Sequence, residues 1–504
     1  MMFTIITISI FSLSVLAFAG AWFLFSSVKK KSIASKKIFD LTFASKKNSR
    51  VDILFIGKNL GLVGIVVFTT LLYLFGWQIA CGFLAGLAVS VIISFFTAEI
   101  ITSSSGKILE STKNDLSLAF SIAKKSAVAV CLMIFSLLLL VVITSLAFSI
   151  DINVLFAFAL GAGILTIFSK AEKSQPKSFE FASGYFGTFI IAIVVVVITM
   201  QNSSGEKIAT IFPLILISIA LISAIVGSMF WRVKKGKNIL SFLPSIFVFL
   251  ILLFAGYYFA GRYISFSYFN LQTITLGALG FLGLTILVKA FEVLLNESTT
   301  IKNSTGADDQ FQNLDLLASF DKKSRLFIKY SSALATFAVS ALLFIYFTSK
   351  VSGDFLLSNP VVIAGLVVGG ILPYLFILSK KTGRILETSA IGILPIFLTL
   401  VFGSNFFAGI LAGMILLGLF LAISREDGLL ASPLIKSSLL VPIIAVSYIL
   451  VDYTLKIRLI IAGAATLILV IYFVSVRYKQ IWSWFLKLWK KYVGRTKVVE
   501  SKIG

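Results

Sequence analysis

The chain contains no histidine, so neither a His-liganded metal nor a histidine proton relay can be built from it. Its two cysteines, Cys81 and Cys131, each fall inside an apolar stretch and read as small packing residues, not as a disulfide or metal pair. Charged residues make up 13% of the chain, against about 25% in an ordinary soluble domain, which excludes a soluble enzyme of this length. Acids are scarcer still, 21 against 44 Lys and Arg. No GxxxxGK[ST] loop occurs, so a Walker-type phosphate cradle is absent. No pattern of alternating ten-residue strands supports a membrane β-barrel. The first apolar run lacks a basic leader and ends in Lys29-Lys30-Lys31 without a small-residue cleavage site, so it reads as a retained helix.

What the chain has instead is apolar length. Of its 504 residues 59% are hydrophobic, 49 of them Phe, and only 8 are Pro. Runs long enough to cross a bilayer fall near 3–27, 51–75, 78–104, 118–147, 152–169, 181–200, 209–231, 239–261, 271–295, 326–349, 360–379, 386–402, 404–424, 433–451 and 456–476. The expected fold is therefore an all-α polytopic membrane protein, a bundle of about fifteen transmembrane helices forming one domain over residues 1–476. Residues 477–504 form a basic tail with Trp482, Trp484 and Trp489, suited to lie on an anionic leaflet.

The net charge of +23 is not a nucleic-acid signal, because the bases sit in short clusters between apolar runs. Connections after odd-numbered helices carry them: Lys29 to Arg50, Lys107 and Lys113, Lys170 to Lys177, Arg232 to Lys237. Connections after even-numbered helices are poor in Lys and Arg, as in Gln201 to Glu206. The positive-inside bias then puts the N-terminus outside and the tail in the cytoplasm, in a prokaryotic cell membrane, with the lipid bilayer as the implied partner.

A few charges fall in or near the apolar runs: Lys58, Glu99, Lys289, Glu292 and Lys329. An ionisable group in hydrocarbon is costly unless paired or wet, so these are candidates for an ion path, with snorkelling at the interface as the alternative. Lys289 and Glu292 are three apart, share a helix face and can pair. The adjacent acids Asp308-Asp309 and Glu426-Asp427 lie in loops, and no DxxxD pair occurs on one helix face. A multi-metal site needs several acids converging on one point, and this pattern does not supply them.

The stretch Asn359 to Arg384 (NPVVIAGLVVGGILPYLFILSKKTGR) is an apolar helix stopped by Lys380, Lys381 and Arg384. Gly369-Gly370 clears bulk for a close helix neighbour, and Pro373 frees a carbonyl. This order resembles a late helix of the membrane-integral pyrophosphatases, pumps that couple pyrophosphate hydrolysis to proton or sodium transport. Four further segments resemble that family in the same order. They are Ser94 to Val130, Phe156 to Thr188, Leu317 to Phe347, and the small-residue run FFAGILAGMILLGLFLAIS after Asn405. In the first, the family's helix runs unbroken into a cytoplasmic extension, with Lys107 standing where the family has Arg and Glu99 where it has a base.

The resemblance implies a pyrophosphatase-like bundle, a homodimer, and pyrophosphate contacts at Lys170 and Lys329, with Glu180 at the acidic ion gate. It also marks a departure. AEKSQPKSFEF, from Ala171 to Phe181, stands where the family has an acidic loop holding magnesium ions, and NESTTIKNSTGADDQFQNLD stands where it has two further helices and a second Asp-rich site. The expected function is thus a pyrophosphatase-like membrane protein that has lost catalysis, a pseudoenzyme or passive partner subunit in ion transport, with no catalytic or metal residue assigned. The alternatives are an active, magnesium-dependent pump with a reduced site, or an unrelated secondary transporter or lipid-linked sugar flippase. The last would be built from two similar halves, and none are evident.

Overall fold

The computed structural model describes residues 2–148, 177–204, 207–234, 243–263, 271–305 and 360–369, with short stretches or single residues within 150–163, 237–239, 314, 331 and 403–413. Apart from a small hairpin, its elements are helices: α1 (Met2–Lys29), α2 (Lys36–Phe75), α3 (Trp77–Thr112), α4 (Leu116–Ala147), α5 (Lys177–Ser204), α6 (Lys207–Met229), α7 (Leu243–Tyr263) and α8 (Leu271–Thr305). A further helix, α9, spans Pro360–Gly369. Among the described residues five helices are long and apolar enough to cross a membrane: Thr4–Lys29, Trp77–Thr112, Leu116–Ala147, Ile211–Met229 and Gly277–Thr305. The chain is a helical integral membrane protein.

The bundle has a centre and a rim. In α4, 78% of the most apolar window is buried, against 28% in α1. Ile134, Phe135, Leu139 and Ile143 of α4 are fully enclosed or nearly so, while Leu16, Trp22 and Phe23 of α1 stand exposed. In a bilayer such exposed apolar groups meet lipid, so the rim needs no protein cover. Helix α3 packs against α2, α4, α5 and α8.

The helices differ from expectation mainly at their ends. α2 begins at Lys36, not near 51, because Ile38 and Thr42 bury one face of the added turns. α3 continues past 104 to Thr112, and α8 past 295 to Thr305, through polar sequence that hydropathy alone assigns to loops. At about 1.5 Å per residue, 36 residues of α3 span about 54 Å, well beyond a hydrocarbon core of about 30 Å. α2 and α8 are of similar length, so three helices share a protruding layer.

Other joints follow local chemistry. Gly76 separates α2 from α3 at φ 87°, a left-handed backbone that favours glycine, and its amide donates to the Leu72 carbonyl at 3.1 Å. Asp115 caps α4, its Oδ1 accepting from the amides of Ser117 (2.8 Å) and Leu118 (3.2 Å). The basic connection after α6 forms a hairpin, β1 (Arg232–Lys234) against β2 (Lys237–Ile239). Trp231 stacks edge-on to Phe291 of α8, which also meets Phe120 of α4, so this connection lies at the same end as the start of α4. The basic connections after α1, α3 and α6 therefore share one end of the bundle, in keeping with the alternation in the sequence.

Close helix approach at Gly369 is also observed. A Cβ there would collide with the Ile410 carbonyl oxygen, so α9 packs backbone to backbone on the small-residue run after Asn405. One cysteine departs from expectation: Cys131 is buried, but Cys81 is exposed, and both are free thiols. The helices expected at 326–349 (apart from Ser331), 386–402, 433–451 and 456–476, and the tail, lie outside the described residues.

Candidate functional site

The chemistry-bearing residues that the structure describes gather at the basic end, where α1 and α3 finish, α2 and α4 begin, and α8 ends. Lys107, 8% exposed, reaches from α3 to the last turn of α1. Its ammonium donates to the carbonyls of Val28 (2.8 Å) and Lys29 (2.7 Å). A helix C-terminus carries unpaired carbonyls and partial negative charge, so a buried ammonium there is both bonded and electrostatically favoured. Lys37 of α2 does the same for α8, donating to the Thr305 carbonyl at 2.7 Å. Two lysines thus each plug the end of another helix.

Five of the described carboxylates are engaged. Glu99 pairs with Lys46, Glu110 with Lys113 at 3.4 Å, and Glu292 with Lys289 at 2.7 Å. Glu297 accepts from the Ser45 hydroxyl at 2.8 Å, and Asp115 is spent on the α4 cap. The Lys289–Glu292 pair is the one anticipated from spacing. Hydroxyls complete the layer: Ser126 donates to Ser104 at 2.8 Å, and Ser298 donates to the Ser105 carbonyl at 3.1 Å. These bonds tie α3 to α4 and α8.

The cations crowd one another. Lys29, Lys31 and Lys46 lie close enough for their charges to act on Lys107. Lys31, in the connection after α1, is held below the usual lysine range, first by partial burial, then by the charge of Lys125, with Asp115 opposing. Among the described residues no three His, Cys, Asp or Glu side chains come together as metal ligands. The described acids therefore do not fit a multi-magnesium site, which needs several carboxylates on one point.

Of the residues singled out from the sequence, Glu180 lies in the first turn of α5, with its side chain outside the described residues. Lys170, Lys329, Asp308-Asp309 and Glu426-Asp427 are also outside them, as is the Lys58 side chain. Sequence reading missed the joints made by Lys37, Ser45 and Lys46. Their signal was present, since Ile38, Leu41, Thr42 and Ser45 recur at helical spacing between the lysines. No protein-family model matches the chain.

Proposed function

We propose that this chain is a membrane protein on the plan of the membrane-integral pyrophosphatases that has lost hydrolysis. It acts as a non-catalytic partner subunit or passive path in ion transport. The observation that carries this reading is the use of charge at the basic end. Lys107, at the position where the family has Arg, is bonded to the end of α1 instead of facing open solvent. Glu99, Glu110 and Glu297 there are engaged by Lys46, Lys113 and Ser45. Diphosphate hydrolysis needs metal ions held by converging acids and a water deprotonated between them. The unbroken extension of α3 beyond membrane length supports the family plan, as does the collinear order of the resembling segments.

On this reading the bundle has about fifteen helices and the basic end faces the cytoplasm, with the N-terminus outside and the tail inside. The family plan adds a homodimer, Lys170 and Lys329 as remnants of the pyrophosphate contacts, and Glu180 as a remnant of the ion gate. The test is reconstitution of the full chain into liposomes with pyrophosphate and magnesium. Phosphate release should equal that of empty liposomes, and no proton or sodium gradient should form. Magnesium-dependent release with a gradient would instead establish an active pump with a reduced site.

A further inference from the structure

Three hydroxyls on α3 stand apart from the rest of the bundle. Ser90, Ser94 and Thr97 are each 0% exposed, and their oxygens have no hydrogen-bond partner in the protein. Their spacing of four and three residues sets them on one face of the helix. A hydroxyl inside a helix always has its own carbonyl three or four residues back within reach. Neighbours on α3 use it: Thr102 donates to Ala98 at 2.8 Å and Ser105 to Ile101 at 2.7 Å. Ser90, Ser94 and Thr97 do not, and point instead into the packing between α3 and its neighbours.

Buried polar groups without partners are rare, and one is explained by strain or by an absent water or ion. Here the oxygens are sealed so tightly that solvent does not touch them, so a resident water does not fit this arrangement. Apart from a side-chain turn back onto their own helix carbonyls, three aligned hydroxyls are satisfied by an arrangement in which the seam parts and water enters. Both ends of the seam are pinned. On one side Gly86 packs directly on the Phe158 carbonyl, and on the other Ser104 and Ser105 are bonded to α4 and α8.

We infer that the Ser90, Ser94 and Thr97 face of α3 is the shut form of a water path, which opens when α3 parts from the helices packed on this face. The lining is neutral and hydroxylic, so the species it takes is water. In the shut form the three hydroxyls oppose closure, and in the open form water bonds them.

The test uses the full chain in native membranes with Cys81→Ala and Cys131→Ala as background. Single cysteines at Ser90→Cys, Ser94→Cys and Thr97→Cys are treated with a small charged methanethiosulfonate reagent. Ile101→Cys, also 0% exposed on α3, is the control. Labelling at the three sites should run about tenfold faster than at the control, as expected for local opening. Protection equal to the control overturns the inference. A second measurement covers a loss of folding in the cysteine variants: Ser90→Ala/Ser94→Ala/Thr97→Val should raise the Tm in detergent by about 2 °C, since it removes unbonded polar groups from the shut form. A fall in Tm would mean that the hydroxyls are bonded at rest, and would overturn it equally.

Discussion

Two halves of the same helix treat polar groups in opposite ways. In the stretch of α3 from Trp77 to Thr97, Ser90, Ser94 and Thr97 are buried without partners, and glycine lets other backbone press close. From Glu99 to Thr112, Glu99, Ser104, Ser105 and Lys107 each have a partner on another element. The contrast separates two roles. The second half is a joint, where polar bonds fix α1, α2, α4 and α8 to one another. In the first half close backbone packing dominates, and the three buried hydroxyls stay unbonded in this arrangement.

The largest test of the joint is Lys107→Met, which removes the ammonium from the Val28 and Lys29 carbonyls and leaves Val28 with the Lys31 amide alone. Stability in detergent should fall by about 2–3 kcal/mol, with Lys107→Arg recovering part of it. Ser104→Ala should cost about 1–2 kcal/mol because Ser126 is then buried without its acceptor. The double variant Ser104→Ala/Ser126→Ala should be closer to wild type than the two single losses added together, which thermal unfolding can read.

A smaller effect is expected at the partly exposed Lys46–Glu99 pair, whose side chains are 26% and 15% exposed. A double-mutant cycle with Lys46→Met and Glu99→Gln should give a coupling of about 0.5 kcal/mol that shrinks in high salt. Smallest of all is the pH response of Lys31. Its lysine is held below 10.5, so the folded chain binds fewer protons than the unfolded chain in the window just under that value. Stability should therefore rise slightly with pH there, and the rise should flatten in Lys31→Gln.

The apolar parts of this fold were legible because a bilayer demands long hydrophobic runs. The run expected at 118–147 is realised as α4 from Leu116 to Ala147, and the spacing of Lys289 and Glu292 foretold their pair. The protruding layer was harder to see, since residues 36–50, 105–112 and 296–305 are too polar to register as membrane helices. Their helicity is set by packing on one another: Thr42, Lys107 and Ser298 are buried by neighbours far away in sequence. The caps made by Lys37 and Lys107 were illegible for the same reason, because each joins residues tens to hundreds of positions apart. What local sequence did show was the periodic face of residues 38–45, a helix signal that hydropathy windows pass over.

The central claim is that charge at the basic end holds helices together and does not hold a metal-bound diphosphate. Its most direct test is the melting temperature of the full chain with and without magnesium plus a non-hydrolysable diphosphate such as methylenediphosphonate. A ligand that binds only the folded chain adds about 2.7 kcal/mol at a hundred times its Kd, an easily seen shift. The account predicts an unchanged Tm at every concentration. A saturable rise that needs magnesium and diphosphate together would contradict it.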